Sequence, residues 1–190
     1  MYKITATLKS ASPLVYGKVV TEPKKKNEAH EAYEQRTWQL KTHNNKKGLF
    51  IPGNALKNMF VNTARFLSET VPGKGKATFT KNFEVGLMVF DNIYLSKTLD
   101  DIEPLVMHVP SDGKTGGTKR VWKTFPLLEE WEGKTEFFIV DQLLKDNVDK
   151  VQDYLEHGGK FIGLLTFRPR QGGQYGRFEV TNFNVEELEA

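Results

Sequence analysis

Between Gly48 and Leu67 a short apolar run, a proline–glycine turn and a helix-periodic segment follow one another directly. Leu49, Phe50 and Ile51 suit the end of a buried strand. Pro52 and Gly53 turn the chain, and Asn54 has the side chain of an N-cap. Ala55, Leu56, Met59, Phe60, Ala64 and Leu67 then recur at helical spacing. The stretch reads as strand, tight turn, amphipathic helix, so a helix must pack against a sheet. Lys57 falls in the first helical turn, beside free backbone N–H groups where an anion can sit. A capped core helix has the same local pattern.

The flanking sequence extends this unit. Residues 2–8 alternate apolar and polar, as a half-buried strand does. Leu14 to Val20 extends that strand or begins a second short one, and residues 21–30 are a polar, lysine-rich loop. Residues 28–40 have helical spacing, and His43 to Gly48 form a turn. The helix from Asn54 ends near Glu69, stopped by Val71-Pro72-Gly73-Lys74-Gly75-Lys76. Val85 to Phe90 is almost continuously apolar and predicts a central strand reaching Leu95. Residues 104–131 surround a turn-rich centre and predict a protruding hairpin, or thumb. A strand over 136–140, a helix over 148–155, a strand over 161–167, a loop over 168–176 and a strand over 178–185 follow. Without insertions the order is β-α-β-β-α-β plus an added strand. The expected fold is α+β: a ferredoxin-like, RRM-like antiparallel sheet with two helices on one face. The 190 residues form one domain, with insertions at 18–47 and 104–131.

Composition removes several function classes. The chain has no cysteine, which excludes a disulfide framework, a thiolate metal site and a thiol nucleophile. No apolar run reaches membrane-spanning length and no signal region opens the chain, so a cytoplasmic protein with no membrane partner is expected. His30, His43, His108 and His157 lack metal-ligand spacing, and no metal or cofactor is expected. Gly113-Lys114-Thr115 and Gly73-Lys74-Gly75-Lys76 lack the earlier glycine and the strand-to-helix setting of a phosphate loop. Asp91 and Asp141 follow apolar runs, as residues that cap strand ends do. No serine sits in a nucleophile elbow. A metal-free ribonuclease could use His30 or His43 with a tyrosine or lysine.

The charge is unevenly placed. Net charge is only +3, yet three stretches carry bases and no acid. They hold Lys74, Lys76 and Lys81; Lys114, Lys119, Arg120 and Lys123; and Lys160, Arg168, Arg170 and Arg177. Rings interleave with them: Phe79 and Phe83, then Trp122 and Phe125, then Phe167, Tyr175 and Phe178. Phe83, Phe167 and Phe178 are assigned to the core, and Trp122, in a polar loop, is the best exposed ring. Cations for phosphates and flat faces for bases are the parts of a single-strand binding groove, and stacking predicts weak sequence preference.

Phe50-Ile51-Pro52-Gly53-Asn54-Ala55-Leu56-Lys57-Asn58 resembles the Ile-Pro-Gly-Ser-Ser-Leu-Lys-Gly motif of the CRISPR-associated RAMP proteins, especially the backbone subunits along guide RNA. Gly163 to Arg177, with Gly172, Gly173, Tyr175 and Gly176, is similar to that superfamily's G-loop, and Thr7 to Leu14 to its first strand and exit. The resemblance implies a modified RNA-recognition fold, RNA held by the G-loop and by Pro52, Gly53 and Asn54, and a thumb wedged into the strand. It implies single-stranded RNA, or DNA, as partner, with copies of this chain or other effector subunits beside it. Target-cleaving members carry an aspartate upstream of the Pro-Gly turn; here His43 to Lys47 hold no acid, which argues for binding without cutting. Tyr33 to Trp38 and Pro72 to Lys76 are also similar to stretches in a group of phage-encoded proteins, so a stand-alone viral relative or a decoy subunit stays open.

Overall fold

The structure is a computed structural model that describes residues 1–111, 113 and 119–189. It runs β1 (Tyr2–Ser10), β2 (Leu14–Val15), α1 (His30–Thr37), β3 (Asn44–Asn45), β4 (Gly48–Ile51), α2 (Gly53–Leu67), α3 (Thr80–Gly86) and β5 (Leu87–Met88). It continues with β6 (Ile93–Tyr94), β7 (Glu103–Pro110), β8 (Arg120–Leu128), β9 (Glu132–Ile139), α4 (Gln142–Asp146), α5 (Val148–His157) and β10 (Phe178–Glu187).

The main sheet has the order β10-β1-β9-β5, and every neighbouring pair is antiparallel. With α2 and α3 before β5, and α4 and α5 before β10, the order is β-α-β-β-α-β as the sequence predicts, but its sixth strand is the one expected as an addition and not residues 161–167. The period-2 pattern of β1 sets its faces. Ile4, Ala6 and Leu8 are fully buried, while Lys3, Thr5 and Thr7 are half-buried on the other side. β10 pairs with β1 from Glu187 opposite Tyr2 to Phe178 opposite Ser10, with a bulge at Thr7/Leu8. The Leu188 N–H also donates to the Met1 carbonyl at 2.8 Å, so the first and last strands meet at one end of the sheet.

Helix α2 buries Leu56, Met59, Phe60 and Ala64. Phe60 stacks on Phe83 at 5.7 Å and meets Phe137 of the sheet edge-on at 5.2 Å; Phe83 stacks on Tyr154 of α5 at 4.6 Å. Burying one such ring contributes about 1.5–3 kcal/mol, so this chain of rings joins both helices to the sheet. No helix among the described residues is long and apolar enough to cross a membrane.

Two apolar runs depart from the expected strands. Val85 and Gly86 end α3, and the run then supplies only the short strands β5 and β6. The segment lies at the sheet edge, with β9 as its only neighbour in that sheet among the described residues, and Val85 and Phe90 are 71% and 70% exposed. Phe161 to Phe167 forms no strand. Residues Gly158–Ile162 continue α5 as one π-helical turn, and a loop follows. Its N–H groups find partners outside the main sheet: Gly163 donates to the Gly158 carbonyl, Leu164 to Gly176 and Thr166 to Val15. Ile162 and Leu164 enter the core from the end of the helix instead.

The insertions form their own layer. β7 and β8 make the predicted hairpin, with β2 on the other side of β8. The inserted helix occupies 30–37, followed by a 3-10 turn at Trp38–Lys41.

Candidate nucleic-acid interface

The glycine-rich loop is folded against the exit of β1. The Gly176 N–H donates to the Pro13 carbonyl at 2.8 Å, the Leu164 N–H to Gly176 at 2.9 Å and the Thr166 N–H to Val15 at 3.2 Å. Within the loop, Gly173 donates to Arg168 and Tyr175 to Phe167, each at 3.1 Å. A Cβ at Gly173 would lie 1.8 Å from the Phe167 carbonyl oxygen, so only glycine fits. Leu165 and Phe167 have φ of 60° and 55°, a left-handed conformation that costs about 1–3 kcal/mol per residue and gathers at functional sites.

This loop forms one wall of a cleft of about 910 Å³. The inserted arm at Lys18, the 30–41 insertion and the turn end of the β7–β8 hairpin form the rest. Lys18, Arg120, Lys123 and Arg170 line it, so cations from two sequence-distant basic stretches face one space. Phe125 and Phe167 meet edge to face at 4.9 Å on its wall. Below them Lys41 donates to Glu34 Oε2 at 2.5 Å and to the Thr124 carbonyl at 2.7 Å, while the Thr124 N–H donates to the same carboxylate oxygen at 2.9 Å. The pair thus replaces a neighbouring strand for one residue of β8 and fastens the hairpin to the inserted helix.

Arg168 lies half-buried behind Arg170. Its Nε is buried with no hydrogen-bond partner, and no acid offsets it among the described residues. Burial, and then the neighbouring Arg170 charge, hold its pKa below the ordinary guanidinium value. Such a cation is stabilised by an incoming anion.

The remaining predicted site residues are dispersed. Gly172 and Gly173 are in the loop, and half-buried Tyr175 follows them. Arg177 turns back to the Lys160 carbonyl. Lys119 closes the hairpin through its carbonyl, which accepts from the Ser111 N–H at 2.9 Å. Trp122 is 56% exposed, but strand alternation sends it to the face opposite Lys123 and Phe125. There it rests on His108 at 4.8 Å, and its carbonyl bonds His30 Nε2 at 2.9 Å. Lys74 and Lys76 are exposed in a turn closed by the bond from the Val71 N–H to the Ala77 carbonyl and by the Thr70–Thr78 bridge. Phe79, grouped with them in the sequence, is buried against Tyr154.

The Pro-Gly motif is built differently from its sequence reading. Pro52, not Asn54, is the N-cap of α2, and the exposed Asn54 makes no capping bond. The Gly53 N–H is taken by Asn92 Oδ1 at 3.3 Å, and a Cβ at Gly53 would lie 2.5 Å from the Asp91 carbonyl oxygen. Lys57 donates to the carbonyls of Phe83, at 2.8 Å, and Leu87, and burial lowers its pKa. Its ammonium closes the end of α3 instead of standing free for phosphate. The motif joins helix to sheet, while the loop it was paired with is anchored on residues 13–15.

Lys18, Glu34 and Lys41 were not among the predicted site residues. Only the seven-residue spacing of Glu34 and Lys41, which puts both near one helical face, hinted at them. His30 and His43 are engaged separately: His43 packs between Tyr16 and Phe50, with ring centroids 6.2 and 5.7 Å away. Asp141 caps α4 through the Leu144 N–H at 3.0 Å. Among the described residues no group of three histidine, aspartate or glutamate side chains could hold a metal ion.

No protein-family model matches the chain, and no curated protein does. Among solved structures it resembles a chain of the type III-B Cmr-beta bound to cognate target RNA, with a TM-score of 0.53 and 10% identity. That likeness covers 97% of this chain and 60% of the Cmr-beta chain. It also resembles Cmr6 from Pyrococcus furiosus, with a TM-score of 0.51, 14% identity and coverage of 95% of this chain and 99% of that one. At such identities the likeness is one of fold. The chain shares its fold with the Cmr-beta chain and with Cmr6.

Proposed function

We propose that this chain is a non-catalytic single-stranded RNA-binding subunit of a CRISPR-type effector assembly. The observation that carries the reading is the cleft in which the strained glycine-rich loop and the turn end of the hairpin bring Lys18, Arg120, Lys123 and Arg170 together around two aromatic rings. Cations beside rings suit a flexible strand with unstacked bases. The Cmr-beta structure that shares the fold holds target RNA, which supports RNA over DNA. Neighbouring subunits, whether copies or other chains, would continue the RNA path.

Equilibrium binding of labelled single-stranded RNA by fluorescence anisotropy tests this. The logarithm of affinity should fall with the logarithm of salt by about 0.7 per phosphate neutralised, giving a slope near −3 for four contacts. RNA should stay intact with and without EDTA. Absence of binding at low salt would overturn the proposal, and cleavage would return the ribonuclease reading.

A further inference from the structure

The floor of the cleft holds a carboxylate that its structural role only half uses. Glu34 is 5% exposed. Both of its bonds, from Lys41 and from the Thr124 N–H, fall on Oε2. Oε1 has no hydrogen-bond partner among the described residues, and Glu34 lines the cleft. Fastening the hairpin therefore leaves one acceptor spare. Phe125 and Phe167 stand beside it, and Lys41 lies 4.9 Å over the Phe125 ring. The cleft volume, about 910 Å³, is within the range of sites that enclose a small molecule, so one nucleotide fits.

We infer that this cleft takes one unstacked nucleotide of the bound RNA and selects guanine, with its Watson–Crick edge turned to Glu34 Oε1. The inference rests on the RNA-binding reading above and goes beyond it, because rings and cations alone accept any base. The selectivity comes from the acceptor. An unprotonated carboxylate oxygen only accepts. Guanine offers two adjacent donors, N1–H and N2–H. Adenine and cytosine offer an amino group beside a ring-nitrogen lone pair, which the oxygen repels. Uracil offers N3–H between two carbonyl oxygens and is disfavoured most. Lys18, Arg120, Lys123 and Arg170 take the flanking phosphates, as a sequence-independent hold requires.

The test uses the unaltered chain and a set of ligands. An oligouridylate of about twelve nucleotides carries one central uridine, guanosine, inosine or N1-methylguanosine, and binding is measured by anisotropy at low salt. Guanosine should bind roughly ten-fold tighter than uridine. Inosine, which lacks the N2 amino group, should fall between them, and N1-methylguanosine should return to the uridine level. Equal binding of all four, or tighter binding of uridine, overturns base selection and leaves RNA binding standing. No binding of any of them overturns both.

Discussion

Gly173 and His43 show how single residues carry separate burdens. Gly173 lets the glycine-rich loop close on Phe167, and a methyl group there has no room. Gly173→Ala should destabilise the chain by about 1–3 kcal/mol in urea unfolding and weaken RNA binding in the same variant. His43 is desolvated between rings and faces the Lys18 charge, and both causes lower its pKa, burial more. The unfolded chain then binds a proton that the folded chain does not, so stability is lost as pH falls below the ordinary histidine value. Melting temperature should drop between about pH 7.5 and pH 5.5, and His43→Phe should reduce that drop. Neither burden was visible beforehand. Loop glycines and a turn histidine have a sequence pattern, but a close approach between residues 167 and 173 has none.

At the scale of elements, side chains join the inserted helix to the hairpin. Lys41→Met would leave the Glu34 carboxylate buried and unpaired, at a cost of about 3–5 kcal/mol. Replacing both residues with apolar ones of similar size should cost less, and a double-mutant cycle in chemical denaturation measures the difference. Helices and strands with a clear period were legible: β1, α2, α5, β9 and β10 all lie where periodicity put them, with ends shifted by a few residues. Val85–Leu95 and Phe161–Phe167 misled because an apolar run does not report the hydrogen bonds available to it. The first lay on a sheet edge, and the backbone of the second bonds to Gly158, Gly176 and Val15 instead of to the main sheet. The cleft was half legible for a related reason. Charge runs identified Arg120, Lys123 and Arg170 but not Lys18 or Lys41, the alternation of β8 sent Trp122 away, and Lys57 was drawn to backbone carbonyls.

For the whole molecule, strand order follows from a short list of elements, since β-α-β-β-α-β units with right-handed crossovers leave few arrangements. The position of the inserted layer does not follow from it, because long-range contacts such as Glu34 with Thr124 cross 90 residues. The same strand order has a consequence for the path of the chain. Tyr2 pairs with Glu187, and the Leu188 N–H reaches Met1, while the loop-bearing cleft sits beyond the other end of β1. Residue 188 can therefore be tied to residue 1 by a few glycines and the chain reopened at the exposed Gly75 turn. This circular permutant should melt cooperatively and bind RNA like the parent, as checked by calorimetry and anisotropy. The β1–β10 seam would then be an ordinary hairpin, and sequence order would be separated from the architecture that holds the cleft.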